Sequence, residues 1–113
     1  MPVRIGFGHL RKQELEEELA RIIIMFPQLG VRKAILIGDL VKQQVTPESS
    51  IDLVIVQDIP GSFVRRSDFF VSHMSPTVST NFFVYTEKEF NSLKDFHPFI
   101  KNAIAQGEVC YDS

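Results

Sequence analysis

The sequence predicts a small α/β or α+β domain in which helices pack against one mixed β-sheet. Short segments rich in β-branched and apolar residues alternate with segments of helical periodicity, and glycine or proline separates most of them. The length of 113 residues fits one domain with one modest core. We divide it into an N-terminal helical segment (residues 1–30) and a core (residues 31–113).

The first predicted element is a helix over residues 10–26. Its apolar residues recur at helical spacing, charged residues fill the opposite face, and Pro27 and Gly30 are predicted to end it. Glu17 and Arg21 have the i,i+4 spacing of an ion pair. We interpret this charged face as solvated and not as a binding site.

Two strands are predicted next, at residues 31–38 and 51–56. The first is bounded by glycines and ends in an apolar run, which indicates burial on both faces near its end. The second alternates its side chains between two faces, which puts Asp52 on the same face as two valines. A short helix at residues 39–44 and a turn at residues 46–50 are predicted to connect the strands.

The following segment is predicted as a helix and a strand. The helix covers residues 63–71 and ends before Pro76, and the third strand covers residues 80–85. A last, short strand is predicted at residues 108–111, at the end of the chain. The charged residues of the helix are predicted to face outward: Arg65, Arg66 and Asp68.

Capping signals predict two helices between the third and the last strand. Thr86 and Glu89 have the spacing of a capping box, and Asp95 or His97 is predicted to cap the second of these helices. Gly107 fits the position just after its C-terminus. The buried stripe of this helix is predicted to consist of Ile100, Ala103 and Ile104.

The composition is unusual only in its phenylalanines. There are 10 Phe, 2 Tyr and no Trp, and eight of the Phe lie between Phe63 and Phe99. A domain of this size buries only part of such a set, so the surplus predicts an apolar surface that faces a partner, such as a second copy in a homodimer. The alternative is a Phe-rich core.

Charge and hydropathy exclude several classes of protein. The formal net charge of −2 gives no overall field that attracts nucleic acid or acidic lipid, so no strong nucleic-acid interaction is predicted. The longest apolar run, residues 22–26, is too short to span a membrane, and residues 1–12 lack the pattern of a signal peptide. The single cysteine, Cys110, allows no internal disulfide, and a cytoplasmic location is predicted.

The segment between the first two strands carries the strongest functional signal. The first strand ends in Gly38-Asp39, and a turn of residues 46–50 then runs directly into an apolar strand that begins Ile-Asp-Leu. This arrangement resembles the nucleotidyltransferases of the DNA polymerase β superfamily, in particular their minimal single-domain members. Those carry Gly-Ser after the first strand and Asp-x-Asp at the start of the second. Residues 83–90 and 99–111 resemble the family's third strand with its helix start and its C-terminal helix with the last strand.

The resemblance implies a polymerase β-like palm fold and a particular chemistry. In such enzymes two divalent cations, usually Mg²⁺, clamp the phosphate oxygens during transfer of a nucleoside monophosphate from a triphosphate. Three carboxylates hold these cations, because magnesium prefers carboxylate and phosphate oxygens. The Gly-Ser loop approaches the triphosphate through its backbone and a hydroxyl group.

This chain departs from the family pattern at most of the important positions. Ser50 stands at the first carboxylate position of Asp-x-Asp, Asp52 is retained, and Asn81 stands at the third carboxylate position. Asp39 replaces the serine of Gly-Ser, and Lys42 lies where many relatives have arginine. The resemblance therefore implies a degenerate active site.

Two interpretations of these residues remain open. Any catalytic or metal-binding role is implied for Asp52 and Asp39, which with Glu48 could form a rearranged one-metal site. Alternatively Asp52 only bonds the neighbouring turn, and no metal binds, because Ser50 and Asn81 offer neutral oxygens. The resemblance implies nucleotide contacts at Gly38, Asp39, Lys42, Ser49 and Ser50.

Three functions follow from these interpretations. The chain could be a binding module without turnover that pairs with a small all-helical protein, as in toxin–antitoxin-like modules. It could instead be an active, metal-dependent nucleotidyltransferase that uses Asp39 and Asp52. The third possibility is a sensor that binds a nucleoside triphosphate or another small ligand without reaction. Three histidines, His9, His73 and His97, lack the spacing of metal ligands.

Overall fold

The computed structural model describes the backbone of residues 2–113 and the side chains from Gly8 onward. Helices and strands follow one another in the predicted order, and the strands at Ile51–Val56 and Thr80–Tyr85 have the predicted bounds. The described chain forms α1 (Pro2–Leu29), β1 (Lys33–Ile37), α2 (Asp39–Lys42), β2 (Ile51–Val56), α3 (Phe63–Met74), β3 (Thr80–Tyr85), α4 (Glu87–Leu93), α5 (Pro98–Gln106) and β4 (Glu108–Asp112).

The strands form one mixed sheet in the order β3-β2-β1-β4. β1 is antiparallel to both β2 and β4, whereas β2 and β3 are parallel. A parallel pair needs a long crossover connection, and α3 provides it between β2 and β3. The mixed sheet with helices packed on it confirms the predicted α+β architecture.

Helices cover both faces of the sheet. Apolar residues of α1 and α3 pack on one face, which we call the α1/α3 face, and residues of α4 and α5 pack on the other, the α4/α5 face. The alternation predicted for β2 is confirmed, because Ile51, Leu53 and Ile55 are buried on the α1/α3 face. Val54 and Val56 are buried on the α4/α5 face, to which Asp52 also belongs by alternation.

Helix α1 is longer than predicted at both ends. Pro27 does not end it but lies inside its last turn, and the helix continues to Leu29. Gly30 ends it in a left-handed conformation, with φ of 77°. The Val31 N–H donates to the Phe26 carbonyl at 3.2 Å, a bond of the Schellman type that satisfies one of the last carbonyls.

The ion pair predicted between Glu17 and Arg21 is wrong. Arg21 binds Glu18 instead, through Nε to Oε1 at 2.7 Å and Nη2 to Oε2 at 2.9 Å. Glu18 is only 5% exposed and also accepts a hydrogen bond from the Thr77 N–H at 2.6 Å. The hydrogen bonds from Arg21 and Thr77 lower the pKa of Glu18 to about 2, against the cost of burial. The contact of Glu18 with Thr77, in the loop before β3, therefore decides which glutamate Arg21 binds.

Arg66 does not face outward as predicted, although Arg65 and Asp68 are exposed. Arg66 is 9% exposed, and its guanidinium binds the Glu89 carboxylate at 2.5 and 3.2 Å. Its Nε also donates to the Gly61 carbonyl at 3.1 Å. This pairing lowers the pKa of Glu89. A charged side chain is tolerated here because every part of the guanidinium fork has a partner.

The capping box of α4 is confirmed, whereas two details of α5 differ from expectation. Thr86 Oγ1 accepts from the Glu89 N–H, and the Glu89 carboxylate accepts from the Thr86 N–H. His97 occupies the N-cap of α5 but its side chain makes no capping hydrogen bond. Ile100 and Ala103 are buried as predicted, but Ile104 is 47% exposed because α5 presents that position away from the sheet.

Gly107 ends α5 for a reason other than the one predicted. Its φ of −82° is accessible to any residue, so no left-handed conformation is needed. A Cβ atom at this position would lie 2.4 Å from the Ala103 carbonyl oxygen and 2.6 Å from Ile35 Cγ2. Gly107 is therefore required by the close approach of α5 to the sheet.

The phenylalanines serve the core and also the surface. Phe70, Phe82 and Phe90 are buried, and the half-buried rings of Phe83 and Phe99 contact each other with centroids 5.1 Å apart. Exposed apolar side chains remain on several elements, with α3 contributing the largest share: Phe63, Val64, Phe69 and Val71 on α3, Leu10 and Ile24 on α1, and Phe96, Ile104 and Val109 elsewhere. No helix in the described part of the chain is long and apolar enough to cross a membrane.

Candidate functional site

The sheet register brings three of the predicted site positions together. Asp52 in β2 is the Cα partner of Asn81 in the parallel neighbour β3 and of Ile37 in the antiparallel neighbour β1. Ser50 lies two residues before Asp52, so strand alternation directs both side chains to the same face. These residues lie where β2 and β3 begin and β1 ends, beside the half-buried Phe83 of the α4/α5 face.

The Asp52 carboxylate is the centre of this group. Its Oδ1 accepts hydrogen bonds from Ser50 Oγ at 3.0 Å and from Asn81 Nδ2 at 2.8 Å. Asn81 Nδ2 also lies 3.5 Å from Ser50 Oγ, so the three side chains converge on one point. An ionised carboxylate can only accept hydrogen bonds, and here a hydroxyl and an amide donate them. We call Ser50, Asp52 and Asn81 the Asp52 cluster.

Gly38 packs directly against this cluster. It has φ of 85°, a conformation that favours glycine, and it forms the N-cap of α2. A Cβ atom built on Gly38 would lie 2.7 Å from Asp52 Oδ2. The group that the Gly38 backbone approaches closely in this structure is the carboxylate of Asp52.

Asp39 belongs to a different set of hydrogen bonds. It is the first residue of α2, and its Oδ2 accepts from Ser49 Oγ at 2.8 Å. Ser49 is 4% exposed, and its hydroxyl oxygen accepts from the Thr46 N–H at 2.8 Å. Arg11 of α1 donates to the Ser49 carbonyl at 3.0 Å. Asp39 and Ser49 therefore fix the loop before β2, while Asp52 binds other partners.

Lys42 and Gly38 line a small cavity between α2 and α5. Its volume is about 180 Å³, and α5 contributes the amide side chains of Asn102 and Gln106. Sequence reasoning missed these two residues, whose i,i+4 spacing on the exposed side of α5 was the only available signal. The lining of the cavity combines the apolar side chains of Ile37 and Val41 with two amides and one ammonium group.

The donor set of the Asp52 cluster does not fit a pair of divalent cations. Magnesium sites of this kind use several carboxylates, whereas Ser50 and Asn81 supply only neutral groups. These two side chains direct hydrogen-bond donors at Asp52 Oδ1, where a cation would otherwise bind. Among the side chains that the structure describes, from Gly8 onward, no three His, Cys, Asp or Glu residues are grouped to hold a metal ion.

Comparison with known proteins identifies the fold. No protein-family model matches the sequence, and no curated protein matches it. The structure is similar to a crystal structure from Sulfolobus solfataricus named "putative nucleotidyltransferase", with a TM-score of 0.55 and 15% sequence identity. The similarity covers 96% of this chain and 86% of that protein. Together with the element order and the mixed sheet, it shows that this chain has a nucleotidyltransferase-like fold.

Proposed function

We propose that this chain is a nucleotidyltransferase-like protein that has lost nucleotidyl transfer and acts as a binding module. One observation carries the proposal. Asp52 is the only carboxylate in its cluster, and the neighbouring positions, Ser50 and Asn81, hold neutral side chains that hydrogen-bond to it. The hydroxyl of Ser50 and the amide of Asn81 thus stabilise the charge of the carboxylate through hydrogen bonds from within the protein.

The electrostatics of the site support this proposal. Nucleotidyl transfer by two cations requires carboxylates to balance the charge of the metals, and the metals to balance that of the triphosphate. Without cations, the carboxylates of Asp39 and Asp52 oppose phosphate binding. At a separation of about 4 Å and an effective dielectric constant near 20, two like charges repel by about 4 kcal/mol. That energy corresponds to a loss of roughly a thousandfold in affinity.

The alternative enzyme would use Asp39 and Asp52 to hold one metal. The hydrogen bonds of the two carboxylates weigh against it, because Asp39 accepts from Ser49 and Asp52 accepts from Ser50 and Asn81. A metal that binds both acids through Asp39 Oδ2 and Asp52 Oδ1 has to replace these bonds. The buried Ser49 hydroxyl would then lose its carboxylate acceptor and keep only the longer contact with Thr46 Oγ1 at 3.3 Å.

The partner that we propose is a small helical protein that packs on α3. Val64 and Val71 lie two turns apart on this helix and are both exposed. Asp68 lies between them on the same face of the helix, one turn from each, and Arg65 lies next to Val64, so charges of both signs are close to the apolar pair. Two apolar side chains two turns apart, with charged residues next to them, form a surface that a partner helix can recognise. A second copy of this chain is the competing occupant of the same surface.

A second candidate function is the binding of a small ligand without reaction. The cavity between α2 and α5 favours it, since Lys42, Asn102 and Gln106 offer hydrogen-bond donors beside apolar lining residues. The nearby carboxylates of Asp39 and Asp52 repel phosphate groups. They therefore favour an uncharged ligand, such as a nucleoside, over a triphosphate.

A transfer assay tests the loss of activity. The protein is incubated with radiolabelled nucleoside triphosphates and Mg²⁺ or Mn²⁺, alone and with cell extract as a source of acceptors, beside the Asp52→Asn variant. We expect the same background from both proteins. Transfer by the wild type that disappears in Asp52→Asn would show an active enzyme and refute the proposal.

A binding assay tests the proposed surface. Val64→Asp and Val71→Asp place a charge in the apolar pair, and Asn91→Asp on the exposed side of α4 serves as the control. We expect affinity purification of the wild type and the control to recover a stoichiometric helical protein that the valine variants lose. Sedimentation of the pure protein as a dimer that the valine variants abolish would assign the surface to a second copy instead.

A further inference from the structure

We infer that Ser50 and Asn81 take the place of metal ions at Asp52, and that carboxylates at these two positions convert the Asp52 cluster into a divalent-cation site. The inference rests on the proposed function, since it explains how the chain keeps Asp52 without turnover. It goes further because it states what holds the site together and which change reverses it.

The first step concerns the state of the carboxylate. Asp52 is half-buried, and a half-buried carboxylate needs donors or a cation near its oxygens. Ser50 Oγ and Asn81 Nδ2 both donate to Oδ1, at 3.0 and 2.8 Å. Both donors belong to the chain itself, so Oδ1 has two hydrogen-bond partners when no ion is bound. Divalent cations and chelators are therefore expected to leave the stability of the protein unchanged.

The second step concerns the positions of the side chains. The strand register pairs Asp52 with Asn81, and alternation places residue 50 on the same face. The polar atoms of Ser50 and Asn81 already lie 3.5 Å apart and both contact Asp52 Oδ1. Carboxylates at positions 50 and 81 would thus converge with Asp52 on one point. Aspartate has the same shape as Asn81, so that substitution changes charge and little else.

The third step concerns the other oxygen of Asp52. Oδ2 faces Gly38, where the absence of a Cβ leaves the carboxylate room on that side. A cation can therefore take the place of the two donors at Oδ1 while the surroundings of Oδ2 stay unchanged. Three carboxylates in contact repel one another when no cation is bound, and a bound cation removes the repulsion. The converted site is thus expected to couple folding to cation binding.

The experiment uses the double variant Ser50→Asp/Asn81→Asp and the wild-type protein. Thermal unfolding is recorded in EDTA and in Mn²⁺ or Mg²⁺, and MnCl₂ is titrated calorimetrically into each protein. We expect no cation effect on the wild type. The double variant is expected to unfold at a lower temperature in EDTA, to recover in Mn²⁺, and to bind Mn²⁺ at least about tenfold more tightly than the wild type.

A matched control separates site geometry from added charge. Asn91→Asp/Ser92→Asp makes the same two substitutions on the exposed side of α4, away from the cluster. This control is expected to show no gain in Mn²⁺ affinity. An equal gain in the control would refute the inference, because it would show that net charge and not convergence attracts the ion.

Two further results would overturn the inference. One is Mn²⁺ binding by the wild type that is lost in Asp52→Asn, which would make the native cluster a metal site. The other is a folded double variant without any cation effect. If the double variant does not fold, the single variant Asn81→Asp tests the same geometry with two paired carboxylates, and cation-independent unfolding of that variant refutes it. No nucleotide enters these measurements, so they are independent of the transfer assay.

Discussion

Glu18 provides the strongest test of how helix α1 is attached to the rest of the fold. Its buried carboxylate binds Arg21 through two hydrogen bonds and accepts a third from the Thr77 N–H. Arg21 in turn donates to the Met74 carbonyl at 2.9 Å. Substitution of Glu18→Gln keeps the shape of the side chain but removes its charge. We expect this variant to fold and to be clearly less stable than the wild type.

The size of the effect follows from the environment of the two partners. Glu18 has a pKa of about 2 in the folded protein against 4.5 as the ordinary value, and one pKa unit corresponds to about 1.4 kcal/mol. The shift therefore represents roughly 3 kcal/mol. The Arg21 side chain is 41% exposed, so water solvates its charge when Glu18 is replaced, which reduces the loss. We expect Glu18→Gln to lower the free energy of unfolding by about 2 kcal/mol at neutral pH.

The pH dependence has a definite sign. Because the folded pKa is depressed, the unfolded state binds the proton first as the pH falls below about 4.5. The stabilisation by Glu18 is complete above that pH and is lost as the pH approaches about 2. Urea unfolding followed by circular dichroism at several pH values measures it. The difference between the wild type and Glu18→Gln should shrink across this window.

The matched control is Glu17→Gln, which removes the same charge from the exposed neighbour in α1. Only a small change, within about 0.5 kcal/mol, is expected for this variant. Equal losses in the two variants would refute the argument, because they would show that the total charge of α1 matters and not the buried pair. A difference between wild type and Glu18→Gln that does not change between neutral and acid pH would refute it as well.

Three further expectations concern the core and the thiol. Gly107→Ala should destabilise the fold by about 2 kcal/mol or more in chemical unfolding, because its Cβ would lie 2.4 Å from the Ala103 carbonyl oxygen; a neutral effect would contradict this packing. Phe70→Ala should cost about 3–5 kcal/mol and Phe96→Ala below about 1 kcal/mol, since only the first ring is buried; similar losses would be inconsistent with the burial described. Burial raises the pKa of the Cys110 thiol to about 11, so alkylation at neutral pH should be slow until the protein is unfolded, and fast labelling of the native protein would disprove it.

Local sequence patterns predicted the elements of the fold well where a strong local signal exists. The bounds of β2 and β3 were predictable because polar turns flank both apolar runs. The capping box at Thr86 also depends only on residues close in sequence. The left-handed residue Gly30 ends α1 as expected, although Pro27 does not, since a proline in the last turn displaces few hydrogen bonds.

Long-range pairing could not be predicted from spacing. Arg21 binds Glu18 and not Glu17 because the Met74 carbonyl and the Thr77 N–H lie beside this pair, more than fifty residues away in sequence. Helical spacing treats both glutamates as suitable neighbours of the arginine. Arg66 was predicted outward for the same reason, because nothing near it in sequence reveals that Glu89 reaches it.

In the candidate site, too, local patterns predict some positions, whereas contacts that depend on the folded loop are not predictable. Strand alternation was sufficient to place Ser50 and Asp52 on one face, and the observed register adds Asn81 beside them. The partner of Asp39 was not predictable, because Ser49 reaches it only through the fold of the loop between α2 and β2. Nucleotide and metal binding by these residues stay predictions, and the cation titration described above tests the second.

The buried Arg66 also controls which side of the sheet remains available to other chains. Its guanidinium connects α3, on one face, to Glu89 of α4, on the other, and so passes around the outer side of β3. Its Nη1 also donates to the Val84 carbonyl at 3.4 Å, which occupies an acceptor on that outer side. An edge strand with free backbone groups invites strand addition and aggregation, and a charged pair laid across it prevents this. Growth of the sheet by another strand is therefore directed to the opposite edge, β4, where Glu108 and Asp112 would repel a second copy of themselves.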